Sequence, residues 1–227
     1  MTRKASFSLS EAIKMLRRHY GSPAHPPTTD PFELILLENV AYLASPARRR
    51  EAFELLRRTI GTDPITILVA EQQALETITA RGILKSTYAS KLRDCAIIAV
   101  DNFGGDLGSV IREPLESAKR ALQSFPGIGE PGAEKILLFA GQQTLLAPDS
   151  NGLRVLVRLG LIREEKTYAQ TYAASREVAN DLAAESGVMQ EAHLLLHEHG
   201  RTLCKRSAPK CEVCPLMLEC VYAAGNR

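Results

Sequence analysis

Phe125-Pro126-Gly127-Ile128-Gly129-Glu130-Pro131 is the stretch on which the reading of the fold turns. Upstream, Pro114–Phe125 repeats its apolar residues at three- and four-residue steps, and downstream Ala133–Ala140 does the same. Two amphipathic helices therefore meet through a short glycine-bearing turn. Two glycines flanking an aliphatic residue permit positive φ and expose backbone N–H groups near a helix N-terminus. Such a turn holds a phosphate by amide donors and helix dipole, without a charged side chain. An ordinary turn between two helices carries Gly-x-Gly often enough that the motif alone leaves both readings standing. Pro131 suits the first turn of the second helix, where a missing N–H costs nothing.

Outward from the hairpin, the same periodicity dominates the chain. Leu9, Ala12, Ile13, Leu16 and Tyr20 form one helical face, with Ser8 or Ser10 available as its cap. Similar spacing recurs in Phe32–Leu43, Arg49–Ile60, Ile65–Thr79, Ser90–Asn102, Gly152–Leu159, Tyr168–Glu185 and Glu191–Leu196. Gly, Pro, Asp and Ser punctuate the runs, and no sustained period-two alternation breaks in. The sequence predicts an all-α fold of roughly ten short helices. Gly21–Asp30, with Pro23, Pro26 and Pro27, reads as a loop, and Gly141–Ser150 as a second boundary.

The 227 residues are 45% hydrophobic and 24% charged, which is ample core material under a normal polar surface. The longest apolar run, Cys95–Val100, falls far short of the roughly 20 residues that span a bilayer. The N-terminus lacks the layout of a secretory signal. These features point to a cytosolic globular protein, with no membrane partner. Net charge is only +2, so any nucleic-acid surface must come from placement. Arg48–Arg49–Arg50 and the Lys205, Arg206 and Lys210 group are the candidates, and a solvated face is the plain alternative.

Four of the five cysteines crowd the C-terminal end as Cys204-x6-Cys211-x2-Cys214-x5-Cys220. In a reduced compartment a disulfide framework is disfavoured, which leaves structural zinc and an iron–sulfur cluster. Four-cysteine zinc sites ordinarily use two close pairs, and only Cys211–Cys214 is one here. Cys95, far upstream in an amphipathic run, reads as a small buried hydrophobe.

Two acids stand in unusual settings. Glu38 lies among Leu34, Ile35, Leu36, Leu37, Val40, Ala41 and Leu43, so it sits either on a narrow wet stripe or buried. Burial would raise its pKa toward that of a general acid. Asp149 follows Pro148 and precedes Ser150 and Asn151 at the mouth of a helix, the ordinary place for an N-cap.

Together these segments resemble the endonuclease III superfamily of DNA glycosylases, the helix-hairpin-helix enzymes with a Gly/Pro-rich loop and an aspartate. The resemblance runs from about Pro31 to Tyr222. It rests on Pro31-Phe32-Glu33-Leu34, the hairpin, Asp149 with Arg154-Val155, and His199-Gly200-Arg201 leading into the cysteines, whose spacing matches the family's [4Fe–4S] signature. It implies two domains: a six-helix domain over 31–141, and a cluster domain made of 1–30 plus 142–227. It implies a monomer acting on double-stranded DNA, with a damaged or mismatched base flipped into a pocket between the domains.

Departures from the family pattern carry information too. Lyase members place a lysine two residues after the second hairpin glycine, where this chain has Pro131, which has no amine to form a Schiff base. Lys135, one turn on, is the sole nearby substitute. The resemblance assigns catalysis to Asp149, to Glu38, which falls where an adenine-excising relative carries its glutamate, and to Asn151, which would orient Asp149. It implies a monofunctional hydrolase in which Asp149 stabilises the cationic sugar and Glu38 protonates the base or handles the water. The hairpin Gly127, Ile128 and Gly129 would hold the backbone. Ile83 or Leu84 would wedge into the emptied stack. The family's glutamine wedge position is Leu43. Lys205, Arg206 and Lys210 would meet phosphates, and Cys204, Cys211, Cys214 and Cys220 would ligate the cluster. His193, His197 and His199 read as helix-face or cluster-packing residues. The sequence stops seven residues after Cys220, with no counterpart of the domain with which the adenine-excising relative inspects oxidised guanine.

Overall fold

The computed structural model describes residues 7–225, and every regular element among them is helical. Twelve α-helices fall into two compact units, one running from Pro26 to Gln142 and the other joining the residues up to His25 to those from Gln143 onward. Junctions at 25/26 and 142/143 thus stand against the expected 30/31 and 141/142.

The first unit holds α2 to α8: α2 Pro31–Asn39, α3 Pro46–Thr59, α4 Pro64–Val69, α5 Gln72–Thr79, α6 Lys85–Phe103, α7 Leu115–Gln123 and α8 Glu130–Phe139. α2 is its apolar axis, burying Phe32, Leu34, Ile35 and Leu36. Asp30 caps it by accepting the Glu33 N–H at 2.9 Å, and Pro31 takes the first turn. The Glu33 side chain gathers the Thr28 hydroxyl, the Thr62 hydroxyl at 2.6 Å and Arg57 at 3.1 Å, fastening loop and neighbouring helix to α2.

α2 stops at Asn39 although the apolar run continues to Leu43. The Asn39 amide turns back on the Ile35 carbonyl at 3.2 Å and reaches the Pro126 carbonyl at 3.0 Å, tying the end of α2 to the α7–α8 turn. The run expected as one helix over 65–79 is two, because Ala70 and Glu71 are extended. Arg93 of α6 holds that break open by donating to the Ala70 carbonyl and to the Gln72 side chain, each at 2.7 Å. α7 and α8 are pinned by buried Lys119, which meets Glu130 at 2.8 Å and Glu116 and Glu134 at 3.2 Å. Cys95 is wholly buried, and its thiol is pushed up to about 12 by burial and by Asp94.

The second unit holds α1 Leu9–Tyr20, α9 Ser150–Leu159, α10 Tyr168–Val178, α11 Ser186–Thr202 and α12 Val221–Gly225. Ser8 and Glu11 close a reciprocal capping box on α1. The helix expected through Glu185 ends at Val178 and passes into a 3-10 turn at Ala179–Asp181, whose Asp181 carboxylate accepts the Leu9 N–H at 3.2 Å. α11 starts five residues before the expected Glu191. α9 and α11 approach so closely that a Cβ on Gly200 would lie 2.6 Å from the Asn151 carbonyl oxygen. Among the described residues no helix is long and apolar enough to cross a membrane.

Candidate active site

The candidate residues fall into two groups, one in each unit. In the second unit, Asp149 is the N-cap of α9. Its Oδ1 accepts the N–H groups of Asn151 at 3.0 Å and Gly152 at 2.9 Å. Its Oδ2 accepts the Asn151 amide at 3.2 Å and faces His197 Nδ1 at 2.7 Å. Burial pushes the Asp149 carboxyl up, but the hydrogen bond and charge of His197, the Gly152 N–H and His193 outweigh it and hold the group well below the carboxylate range. An ionised carboxylate only accepts, so His197 Nδ1 carries the proton.

Asn151 is held in turn. Arg154 donates to its Oδ1 at 2.9 Å and to the Gly200 and Cys204 carbonyls at 2.8 and 2.9 Å. The arginine thus links Asp149's partner to the cysteine segment. His197 is the residue that sequence reasoning passed over. It lies 48 positions from Asp149 on a helix of mainly apolar neighbours, where only the α9–α11 packing reveals its partner. His193 stacks on it at 6.5 Å and donates to the Ala147 carbonyl at 2.6 Å. His199 does pack at the cysteines: its Nε2 lies 3.6 Å from Cys214 Sγ, and its Nδ1 meets the Tyr20 hydroxyl at 3.0 Å.

Cys204, Cys211, Cys214 and Cys220 line one small pocket, with Leu216 and Met217 in its wall. Burial, together with the three other thiols, pushes Cys214 up to about 11, a cost that a cationic group in the cavity would remove. Arg158 Nη1 lies 3.5 Å from Cys204 Sγ, and its ring partner is Tyr222 at 4.3 Å. Among the described residues, no three His, Cys, Asp or Glu side chains converge on one ion position. The loop after Cys204 exposes Lys205, Arg206 and Lys210, and Arg158 braces it through the carbonyls of Lys205 at 2.7 Å and Arg206 at 3.1 Å.

In the first unit the hairpin differs from expectation in two respects. Only Gly127 has positive φ, at 76°, while Gly129 is extended as the N-cap of α8. The Ile128 side chain is buried and its N–H is occupied by the Phe125 carbonyl at 3.2 Å, so Ile128 is a core anchor rather than a surface contact. The amides of a first helical turn have no partner within the helix, and α8 presents its own beside Gly129.

Glu38 is neither buried alone nor on a wet stripe. Its Oε1 meets Lys135 Nζ at 2.7 Å, both side chains being half-buried. The two residues competing for the chemistry are thus one ion pair. Leu43, Ile83 and Leu84 stand 70%, 52% and 58% exposed, with Leu43 and Leu84 in the left-handed region. Their loops are joined where the Ile83 N–H donates to the Tyr42 carbonyl at 3.1 Å and Gly82 has no room for a Cβ.

No family model matches the chain. A protein of Methanocaldococcus jannaschii named as a candidate DNA repair glycosylase is 23% identical over 211 residues, covering 92% of this chain and 93% of its own. The structure superposes on an endonuclease III solved in a non-covalent DNA complex with TM-score 0.76 at 18% identity, covering 96% of each chain. A thermostable thymine-DNA glycosylase gives the same TM-score at 15% identity, over 96% of this chain and 97% of that one. The fold is that of the endonuclease III-like helix-hairpin-helix DNA glycosylases. By sequence the chain is similar to the Methanocaldococcus protein along nine-tenths of its length, and its likeness to the two solved glycosylases is one of fold.

Proposed function

We propose that the protein is a monofunctional DNA glycosylase that excises a damaged or mismatched base from double-stranded DNA, with Asp149, Glu38 and Asn151 as its catalytic residues. The observation that carries this reading is Asp149 itself, a carboxylate kept ionised by four hydrogen-bond donors at a helix mouth. As the glycosidic bond breaks, its electron pair leaves with the base and positive charge develops on the sugar, which a fixed carboxylate stabilises. Asn151, clamped by Arg154, sets the direction of Oδ2.

Glu38 serves the water. Its carboxylate, 2.7 Å from Lys135 Nζ, accepts a proton from water as the water oxygen bonds to C1′, and the proton ends on the departing base. Pro131, whose nitrogen is a peptide amide, cannot form a Schiff base, and Lys135 is engaged with Glu38. This favours hydrolysis, with strand cleavage through a Schiff base on Lys135 as the rival that the alkali experiment separates.

The four cysteines fit a [4Fe–4S] cluster. A cubane takes one thiolate at each of four separated corners, which suits thiols placed round a cavity. When bound, it supplies a rigid anionic cross-link rather than a reagent. Cys204 and Cys211 are the feet of the loop bearing Lys205, Arg206 and Lys210, so the loop's shape depends on them. Leu43, Ile83 and Leu84 suit insertion into the stack left by a flipped base, and the Gly127–Gly129 turn suits a phosphate.

The thymine-DNA glycosylase likeness makes mismatched thymine or uracil the first substrates to test. End-labelled duplexes, each with one modified or mismatched base, are incubated and developed with and without hot alkali. Breaks that need alkali are expected. Breaks without alkali, with borohydride trapping abolished by Lys135→Ala, would replace this reading with a lyase. Tight binding with no breaks on any duplex would leave a lesion binder.

A further inference from the structure

The basic run Arg48-Arg49-Arg50, which the proposed function leaves unused, occupies the start of α3. We propose that Arg48 and Arg49 form a phosphate-binding site for duplex DNA beside the exposed Leu43, Ile83 and Leu84, separate from the glycine turn and from the cysteine loop. The proposal deepens the DNA reading above and rests on it.

The placement works against the helix itself. A helix N-terminus carries partial positive charge, so cations gathered there are unfavourable unless an anion joins them. Ser45 caps α3, its side chain accepting the Arg48 N–H at 3.4 Å. Arg48 thus stands at the third helical position, where a capping box needs Glu or Gln. The same chain puts Glu11 at that position in α1, where it closes the box on Ser8, whereas the first turn of α3 has no acid.

Acids do occur near the run, and other cations take them. Glu51, one turn from Arg48, pairs with Arg81 at 3.0 Å. Glu54 and Glu33 pair with Arg57 at 3.5 and 3.1 Å. Among the described residues neither Arg48 nor Arg49 makes an ion pair, and Arg49 Nε is buried with no hydrogen-bond partner. A donor withdrawn from water without an acceptor is a cost that nothing within the chain offsets. A phosphate matches the guanidinium fork, and its charge suits the helix end as well.

The surroundings of the run say which phosphate-bearing partner fits. Through Glu51, Arg81 ties α3 to the Gly82-Ile83-Leu84 loop, and the Ile83 N–H ties that loop to the Tyr42 carbonyl at 3.1 Å, next to Leu43. Five residues of chain, at most about 17 Å, separate Leu43 from Arg48. Duplex DNA carries one charge per about 1.7 Å of axis, so apolar tips entering its stack bring a row of phosphates alongside. A free phosphate ester would make no use of the tips.

The test is Arg48→Gln combined with Arg49→Gln, which removes two charges and supplies Gln for the capping box. The duplex carries one tetrahydrofuran abasic site to fix the register, and binding is followed by anisotropy. The urea midpoint of the variant should equal or exceed that of the wild type, while its salt slope should be flatter by about 1.8. Arg48→Lys combined with Arg49→Lys keeps both charges and should restore the slope. Methylphosphonates placed singly within a few nucleotides of the abasic site then locate the contact. Neutralising the phosphates that the run meets should weaken the wild type and leave the Gln variant unaffected. An unchanged slope, or methylphosphonate losses alike in the two proteins, overturns the inference. So does a midpoint well below the wild type, which would make the run structural. Failure of the DNA reading beneath it looks different: the wild type itself would then bind the duplex without salt dependence.

Discussion

Asp149 caps α9 and is the proposed stabiliser of the sugar cation, and two substitutions separate the cap from the proposed role. Asn caps a helix about as well as Asp, whereas Ala removes the cap and costs about 1 kcal/mol. Asp149→Asn should therefore keep the cap and lose only the charge-dependent part of the stability, while excision falls by roughly 10²–10³, the usual loss for a missing electrostatic stabiliser. Asp149→Ala should lose both, as denaturant melts and alkali-developed cleavage would show. The pH dependence of stability follows from the same contacts. The carboxyl is held below its unfolded-state value of about 3.9, so its contribution is present above that pH and drains away as pH falls through and below it. Urea melts from pH 6 downward should find the gap between wild type and Asp149→Ala narrowing; a constant gap would mean that the capping bonds do not depend on the charge. At this scale the sequence was half legible. Pro148-Asp149-Ser150-Asn151 announces a cap by local rules alone. His197 was not legible as its partner, because nothing within a turn of either residue encodes the meeting. The partner of Glu38 was hidden for a like reason: the cation opposite it comes from α8, nearly a hundred residues on.

Among the elements, the α7–α8 hairpin depends on one backbone conformation. Gly127 sits at φ 76°, and a Cβ there would lie 2.9 Å from Asn39 Oδ1. Asn39 in turn holds the Pro126 carbonyl and ends α2 one residue beyond Glu38. Gly127→Ala should cost about 1–3 kcal/mol from positive φ and the displaced amide together. It should also weaken binding to a non-specific duplex, measured by anisotropy. Gly129→Ala is the control: that glycine is extended, and its nearest neighbour to a new Cβ is Pro131 Cδ at 3.9 Å, so stability should hardly change. Equal losses for the two would show that the turn's conformation is not what matters. The hairpin was readable because a turn between helices writes its needs locally in Gly and Pro. The break at Ala70–Glu71 was not, since neither residue opposes helix and the cause is Arg93, more than twenty residues away. Helices were legible wherever periodicity and caps agreed, and the break at Ala70 was hidden because a distant side chain holds its carbonyl.

Across the whole molecule, a net charge of +2 gives no general pull toward DNA, so affinity must come from cations held in place. The loop between Cys204 and Cys211 is the best-organised example. Arg158 fixes it through the backbone carbonyls of Lys205 and Arg206, bonds that survive when those side chains are cut back. Replacing Lys205, Arg206 and Lys210 together by Ala should therefore leave the fold and the thiol cavity intact. Each cation that neutralises a phosphate steepens the fall of log K with log salt by about 0.9, so losing all three should flatten the slope by about 2.7. Weakening should be alike for any duplex sequence, because phosphate contacts carry no base information. The same slope should flatten in a Cys211→Ser variant, in which the loop keeps its charges but loses one of its fixed feet. If the triple variant flattens the slope and the cysteine variant does not, the charges act without help from the cysteine feet. If neither changes, the loop faces solvent and the phosphates are met in the first unit.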